Sequence, residues 1–203
     1  MRHPPLSLCL FDIGRVLIDF DFRIAADRLS PLCHLSPEEI LTRLASWEGV
    51  SELEEGRTGN TAFFETIRQR LQFPLSYEAF LPIWTEIFTE NKEVTALVRK
   101  LLGKIPIALI SNTNQIHFEY CRKTFPIIRE IRQYVLSYEV GARKPDERIY
   151  QAALSRFNRR PEETLYVDDL KELVEAGKTF GLEALQFQGA VSLEEALRQR
   201  GLL

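Results

Sequence analysis

Three short apolar runs in this chain each stop abruptly on polar residues. Leu8-Cys9-Leu10-Phe11 runs into Asp12, Ile107-Ala108-Leu109-Ile110 into Ser111-Asn112-Thr113, and Leu165-Tyr166-Val167 into Asp168-Asp169. Continuous apolar runs of this length, bounded by turn residues, are the pattern of parallel strands buried on both faces. Helical stripes lie between them: Val94, Leu97, Val98, Leu101 and Leu102 recur at helical spacing, as do Ile149, Tyr150, Ala153, Leu154 and Phe157. Strands alternating with helices predict an α/β fold, a Rossmann-like three-layer core with a parallel sheet between helices. Open sheets of this kind build their sites at the carboxyl ends of the strands. Asp12, Ser111-Asn112-Thr113 and Asp168-Asp169 therefore converge on one rim, and Lys144, followed by Pro145, is a fourth candidate for it.

The pattern predicts strands over Leu6–Phe11, Ile105–Ile110, Tyr134–Ser137, Thr164–Val167 and Leu182–Phe187, with a short hairpin after Asp12. Helices are expected around His117–Thr124, Leu170–Phe180 and Ser192–Gln199. From Asp21 to Asn91 the periodicity is helical, with no strand. Ser36-Pro37-Glu38-Glu39 is a capping box with proline at the first helical position. Phe63, Phe64, Ile67 and Leu71 form one apolar stripe, and Phe80, Ile83, Trp84, Ile87 and Phe88 another. The chain thus divides into an α/β core, residues 1–20 and 92–203, and an inserted all-helical cap, residues 21–91.

Composition removes several classes of function. A net charge of −3 offers no basic patch for a phosphate backbone, so no nucleic-acid partner is expected. No apolar run approaches the ~18 residues of a membrane span. The first apolar run ends at Asp12, which predicts no secretory leader. Cys9, Cys33 and Cys121 are sparse, odd in number and lack metal-binding spacing, which suits a reducing, cytoplasmic setting. At 203 residues the chain supports one core with a modest insert. Oligomeric state is not legible.

Each polar signature has more than one reading when taken singly. Asp12 suits a covalent nucleophile, a metal ligand or a turn cap. Gly14 leaves room for its own carbonyl to bend toward the same ion. Ser111-Asn112-Thr113 suits phosphate binding at a strand–helix junction, or ordinary helix capping. Lys144 is either a cleft cation held by Pro145 or a surface lysine. Adjacent acids such as Asp168-Asp169 repel each other unless a cation or donors sit nearby, and oxygen ligands of this kind suit Mg²⁺.

Taken in order, these signatures resemble those of the haloacid-dehalogenase-like hydrolase superfamily over essentially the whole chain. They are Asp12-Ile13-Gly14-Arg15-Val16, Ser111-Asn112-Thr113-Asn114, Lys144 in Gly141-Ala142-Arg143-Lys144-Pro145, and Asp168-Asp169. The nearest resemblance is to the bacterial branch that includes glucose-1-phosphate phosphatases with a small helical cap. Glu54-Glu55-Gly56-Arg57-Thr58 resembles that branch's cap loop. The resemblance implies a Mg²⁺-dependent phosphatase acting on a small phosphorylated metabolite, such as a sugar phosphate, through an aspartyl-phosphate. Asp12 would be the nucleophile, and Lys144 would neutralise charge on it and on the phosphate. Ser111, Asn112 and Lys144 would bind phosphate, and Asp12, the Gly14 carbonyl, Asp169 and Asp168 would surround the metal.

Three positions depart from that pattern. Gly14 stands where many relatives carry a second Asp as general acid, so good leaving groups, such as sugar 1-phosphates over 6-phosphates, are expected to react faster. Arg15 replaces an Asn. Leu173 replaces an Asn or Asp that supports the metal site, with Glu172 as a possible substitute. Two alternatives remain: a metal-independent 2-haloacid dehalogenase, and a catalytically impaired phosphate-binding or regulatory member of the fold. Gly177-Lys178-Thr179 looks like part of a phosphate loop, but Glu172 occupies the position where that loop needs glycine, which predicts an ordinary helix. His34 and His117 are expected in capping or surface roles. Asp19 and Asp21 are expected as caps at the start of the insert.

Overall fold

The computed structural model describes residues 5–203. Among the described residues there are seven strands: β1 (Leu8–Phe11), β2 (Ile18–Phe20), β3 (Phe88–Glu90), β4 (Ile107–Ser111), β5 (Tyr134–Leu136), β6 (Thr164–Asp168) and β7 (Glu183–Gln186). Five of them form one parallel sheet in the order β5-β4-β1-β6-β7. The chain leaves β1 for β4 and β5 on one side, then returns to β6 and β7 on the other. The carboxyl end of β1 therefore lies at the point where the winding direction reverses, which is where such sheets open a crevice.

Alternation along β1 divides the core into layers, because successive side chains leave a strand on opposite faces. Cys9 and Phe11 pack with Ile107, Leu109, Leu165 and Val167 against helices Lys92–Leu101 and Ala190–Gln199. Leu8 and Leu10 pack with Ala108, Ile110 and Tyr166 against helix Glu147–Phe157. Both faces are covered, which is why these strands read as unbroken apolar runs rather than alternating ones. The α/β reading is correct. All three cysteines are buried as free thiols.

The insert between β2 and β3 carries five helices: Phe22–Cys33, Pro37–Ala45, Gly49–Glu54, Asn60–Leu71 and Tyr77–Thr85. The capping box forms as expected, with Glu39 N–H donating to Ser36 Oγ and Ser36 N–H to Glu39 Oε2. The insert has its own apolar cluster around Phe63, Phe64, Phe80 and Trp84, joined by Ile116 from the core.

Two expectations fail at its base. No local hairpin follows Asp12, because β2 pairs antiparallel with β3, the segment that ends the insert. Phe88 therefore belongs to a strand, and the helix ends at Thr85. The pairing Phe20↔Phe88, and the bonds from Asp21 N–H to Ile87 O and from Asn91 N–H to Leu17 O, bring the two ends of the insert together. A helical period cannot reveal such a strand, because its partner lies some seventy residues away in sequence.

Several bounds shift by one to three residues: β1 begins at Leu8, β6 includes Asp168, and helix Gln115–Thr124 starts earlier than expected.

Candidate active site

Asp12 is the first residue past β1, and its N–H still donates to Val167 O at 2.9 Å, which anchors it to β6. Ser111 and Asp168 are the last residues of β4 and β6. Lys144 comes from the loop after the one-turn helix Ser137–Val140. That loop is pinned by Asn112, whose Nδ2 donates to Lys144 O at 2.9 Å and whose Oδ1 accepts from Lys144 N–H at 2.7 Å. The Asn112 side chain is thus spent on holding Lys144. Thr113 is tied in the same way, donating its N–H to Ser137 Oγ and accepting the Ser137 hydroxyl at its carbonyl.

Lys144 is 4% exposed and its ammonium spends all three protons inside the protein. Nζ donates to Asp12 Oδ1 at 2.8 Å, Asp168 Oδ2 at 2.7 Å and Ile110 O at 3.2 Å. Asp168 is fully buried and also accepts from the Tyr166 hydroxyl at 2.5 Å and from Leu170 N–H at 3.0 Å. Its oxygens are therefore engaged by the protein, whereas Asp169 remains partly exposed and is held through its backbone carbonyl by Gln186 Nε2.

The electrostatics follow from this burial. Desolvation lifts the Asp12 carboxyl to about 6, against the pull of Lys144 and with a further push from Asp168. Burial raises Asp169 as well, and the neighbouring Asp168 charge adds to it. Burial alone would lower Lys144, but Asp12 and Asp168 outweigh it and hold the ammonium above its usual range. Burial and Asp168 keep the Tyr166 hydroxyl protonated, as a donor.

Carboxylate oxygens of Asp12, Asp168 and Asp169 lie within 4.8 Å of one another. Three carboxylates meet one ammonium there, so the cluster lacks positive charge. Hard oxygen donors at this spacing fit Mg²⁺, which is commonly held by one or two carboxylates with waters and a substrate phosphate.

Asp12, Ser111, Asn112, Lys144 and Asp169 wall a cleft of about 220 Å³, together with Gly14, Arg15, Phe20, Glu54, Arg143, Leu170 and Leu173. A cavity of about 70 Å³ adjoins it, lined by Phe20, Phe22, Phe88, His117 and Glu54 among others. The Glu54 carboxylate comes from the insert and lies 2.9 Å from Arg143 Nε. That N–H is not aimed at it, so the contact is an ion pair without a hydrogen bond. Gly56, just beyond, is at φ +67°, and a Cβ there would stand 2.3 Å from Tyr138 O. Only glycine lets this loop lie so close to the core.

The expected site residues Asp12, Gly14, Ser111, Asn112, Lys144 and Asp169 all line one cleft, with Asp168 buried immediately behind it. Arg15, in a left-handed conformation at φ +55°, lays its guanidinium over the Phe20 ring, 4.8 Å from the centroid. Glu172 is exposed and takes no part, while Leu173 supplies an apolar wall. Asp21 caps helix Phe22–Cys33, and Asp19 is exposed on β2. Lys178 pairs with Glu175 on an ordinary helix.

His117 is neither a surface nor a simple capping residue. It is buried between Asn114 Nδ2 on its Nδ1 and Trp84 O on its Nε2, each at 3.1 Å. Burial lowers it to about 4, so it is neutral, with the proton on Nε2.

Tyr166 and Arg143 were not anticipated. For Tyr166 a signal existed, because residues two apart on a strand share a face, which places its hydroxyl beside Asp168. Arg143 carries no comparable mark.

A family model described as haloacid dehalogenase-like hydrolase matches residues 7–181. A D-ribitol-5-phosphate phosphatase of Bacteroides thetaiotaomicron is 25% identical over 195 residues, covering 93% of this chain and 95% of that protein. Among solved structures, a HAD family enzyme from the same organism superposes with a TM-score of 0.85 at 22% identity, over 96% of this chain and 100% of that one. The same enzyme, as wild-type protein in complex with magnesium and inorganic phosphate, gives a TM-score of 0.80 at 23% identity, covering 89% of this chain and 93% of the other. At these identities the structural likeness speaks for the fold.

Proposed function

Because the chain belongs to the haloacid-dehalogenase-like hydrolases, we propose that it is a Mg²⁺-dependent phosphatase releasing phosphate from a small phosphorylated metabolite. The observation that carries this reading is the Asp12–Lys144–Asp168–Asp169 cluster at the sheet's switch point. The relative that hydrolyses ribitol phosphate and the neighbour crystallised with magnesium and phosphate support it.

In this reading Asp12 attacks phosphorus as the bond from phosphorus to the alcohol oxygen breaks. The departing alkoxide takes its proton from water, since Gly14 offers no acid, and a second water then hydrolyses the aspartyl-phosphate to free Asp12 carboxylate and inorganic phosphate. Lys144 holds the Asp12 carboxylate in place and offsets the charge that gathers on the phosphoryl oxygens. Ser111 donates its hydroxyl to the phosphoryl group. Asn112 acts through its grip on the Lys144 backbone. Asp12, Asp169 and the Gly14 carbonyl would hold Mg²⁺, and Asp168 orients Lys144 from behind. When bound, the ion supplies positive charge to nucleophile and phosphate together. Residues 21–91 act as a cap that closes the cleft from above.

The dehalogenase alternative is disfavoured by the excess of carboxylates, which a metal-free reaction leaves without a role. The test is phosphate release from p-nitrophenyl phosphate with Mg²⁺ and with EDTA. Release that depends on Mg²⁺ is expected. A protein that releases none, or is indifferent to EDTA, overturns the reading.

A further inference from the structure

The phosphate side of the cleft is accounted for by the rim residues, but the leaving-group side is not. Glu54 ends the helix Gly49–Glu54 and lines both the cleft and the adjoining cavity. Its side chain is only 18% exposed. Among the described residues no hydrogen bond reaches either of its oxygens, and its one charged contact is Arg143. Arg143 is in turn held by donating to Ser51 Oγ at 2.7 Å. Burial raises the Glu54 carboxyl, Arg143 draws it back, and Glu55 adds a smaller upward push.

A carboxylate in this state has unfilled acceptor sites and no donor to give. It repels a second anionic group on the substrate and welcomes hydroxyls. The charge of Arg143 is balanced by Glu54 at 2.9 Å, which leaves no net positive charge there to attract a second anion. The rings of Phe20, Phe22 and Phe88 supply an apolar wall for carbon. The adjoining cavity of about 70 Å³ admits only a short chain.

Building on the phosphatase reading above, we propose that Glu54, positioned by Arg143, is the specificity-determining residue of this cleft. Its carboxylate accepts hydrogen bonds from the hydroxyls of the leaving group. It thereby selects phosphate monoesters of short, neutral polyhydroxylated alcohols over esters that carry a carboxylate.

The experiment compares kcat/KM on D-ribitol 5-phosphate, pentyl phosphate and 2-phosphoglycolate for the wild type, Glu54→Ala and Glu54→Gln, all with Mg²⁺. The wild type is expected to prefer the polyol ester. Glu54→Ala should lose about 10- to 100-fold more on the polyol ester than on pentyl phosphate, the factor expected for hydrogen bonds to a charged group. Glu54→Gln keeps a neutral acceptor and loses less of that preference. Both variants leave Arg143 uncompensated and should gain on 2-phosphoglycolate relative to pentyl phosphate.

A merely structural role would lower all three substrates by one factor, and that result overturns the proposal. So does a wild type that favours the carboxylate ester. If the alanine variant does not fold, the near-isosteric Gln variant carries the same comparison. Failure of the phosphatase reading shows separately, as a wild type with no Mg²⁺-dependent release from p-nitrophenyl phosphate.

Discussion

The sheet rim and the helical insert are both well packed, but by different means. At the rim, polar groups satisfy one another. Lys144 joins Asp12 to Asp168, Asp168 takes Tyr166 and Leu170, and Asn112 clamps the Lys144 backbone. In the insert, rings satisfy rings. Trp84 lies against Phe22, Phe63, Phe80 and His117 with centroids 5.3–5.5 Å apart. Hydrogen bonds and ion pairs are directional, so the rim is held in one geometry before any substrate arrives. Stacked rings fix volume more than direction. The comparison teaches that a rim substitution should strike chemistry or the charge network, whereas polar groups meet the insert singly, Glu54 from within it and His117 from the core helix Gln115–Thr124.

The largest expected effect tests the rim's directionality. Asp12→Asn should lower phosphate release on the order of 10⁴-fold or more, since the amide is a poor nucleophile and a poorer metal ligand. Its amide oxygen can still accept from Lys144, so cooperative melting should persist. A folded variant with substantial activity breaks the assignment of Asp12.

Next comes the split between the adjacent acids. Asp168→Ala removes the partner of a buried ammonium and a buried phenol, and should cost about 3–5 kcal/mol of stability in urea titrations. Asp169→Ala should leave stability nearly unchanged while abolishing the Mg²⁺ response, because Asp169 is partly exposed and bonded only through its backbone. The sequence pattern alone makes Asp168→Ala the milder change if that residue stands outside the metal's ligands. Burial reverses that order for stability.

A smaller effect probes the junction of the two regions. His117 is buried and neutral, with a pKa lowered from 6.5 to about 4. Below its unfolded value the unfolded chain binds a proton that the folded one refuses. Its contribution is therefore complete above pH 6.5 and is lost as pH falls toward 4. Roughly 2 kcal/mol should disappear between pH 7 and pH 5 on this account. His117→Gln should flatten that segment of the stability–pH curve. An unchanged slope would mean that other groups govern acid sensitivity.

The smallest effect is a control on the far side of the core. Lys178→Ala removes an exposed pair with Glu175, and should change stability by less than about 0.5 kcal/mol and phosphate release not at all. A large loss of release would mean that phosphate binds away from the rim.

The sequence by itself determined the layered core and the location of the rim. Both depend on short-range patterns: an apolar run reports a strand buried on both faces, and the polar residue that ends it reports the strand's carboxyl end. Asp12, Ser111, Asp168 and Asp169 were legible for that reason, and Lys144 through the lysine–proline pair that follows Gly141-Ala142-Arg143. The capping box at Ser36–Glu39 was legible because its partners are three residues apart.

What only the tertiary structure decided were relations between distant segments. These include β2 pairing with β3, Asn112 spending its amide on Lys144, and Asp168 buried by Tyr166 and Leu170 while its neighbour stays partly open. The placement of Glu54 against Arg143 belongs with them, since 89 positions separate the two in sequence. No local periodicity encodes such contacts. They exist because packing the insert's apolar cluster against the core brings the insert's loops down onto the core, and burial then determines which polar groups must satisfy one another and which are left facing the cleft.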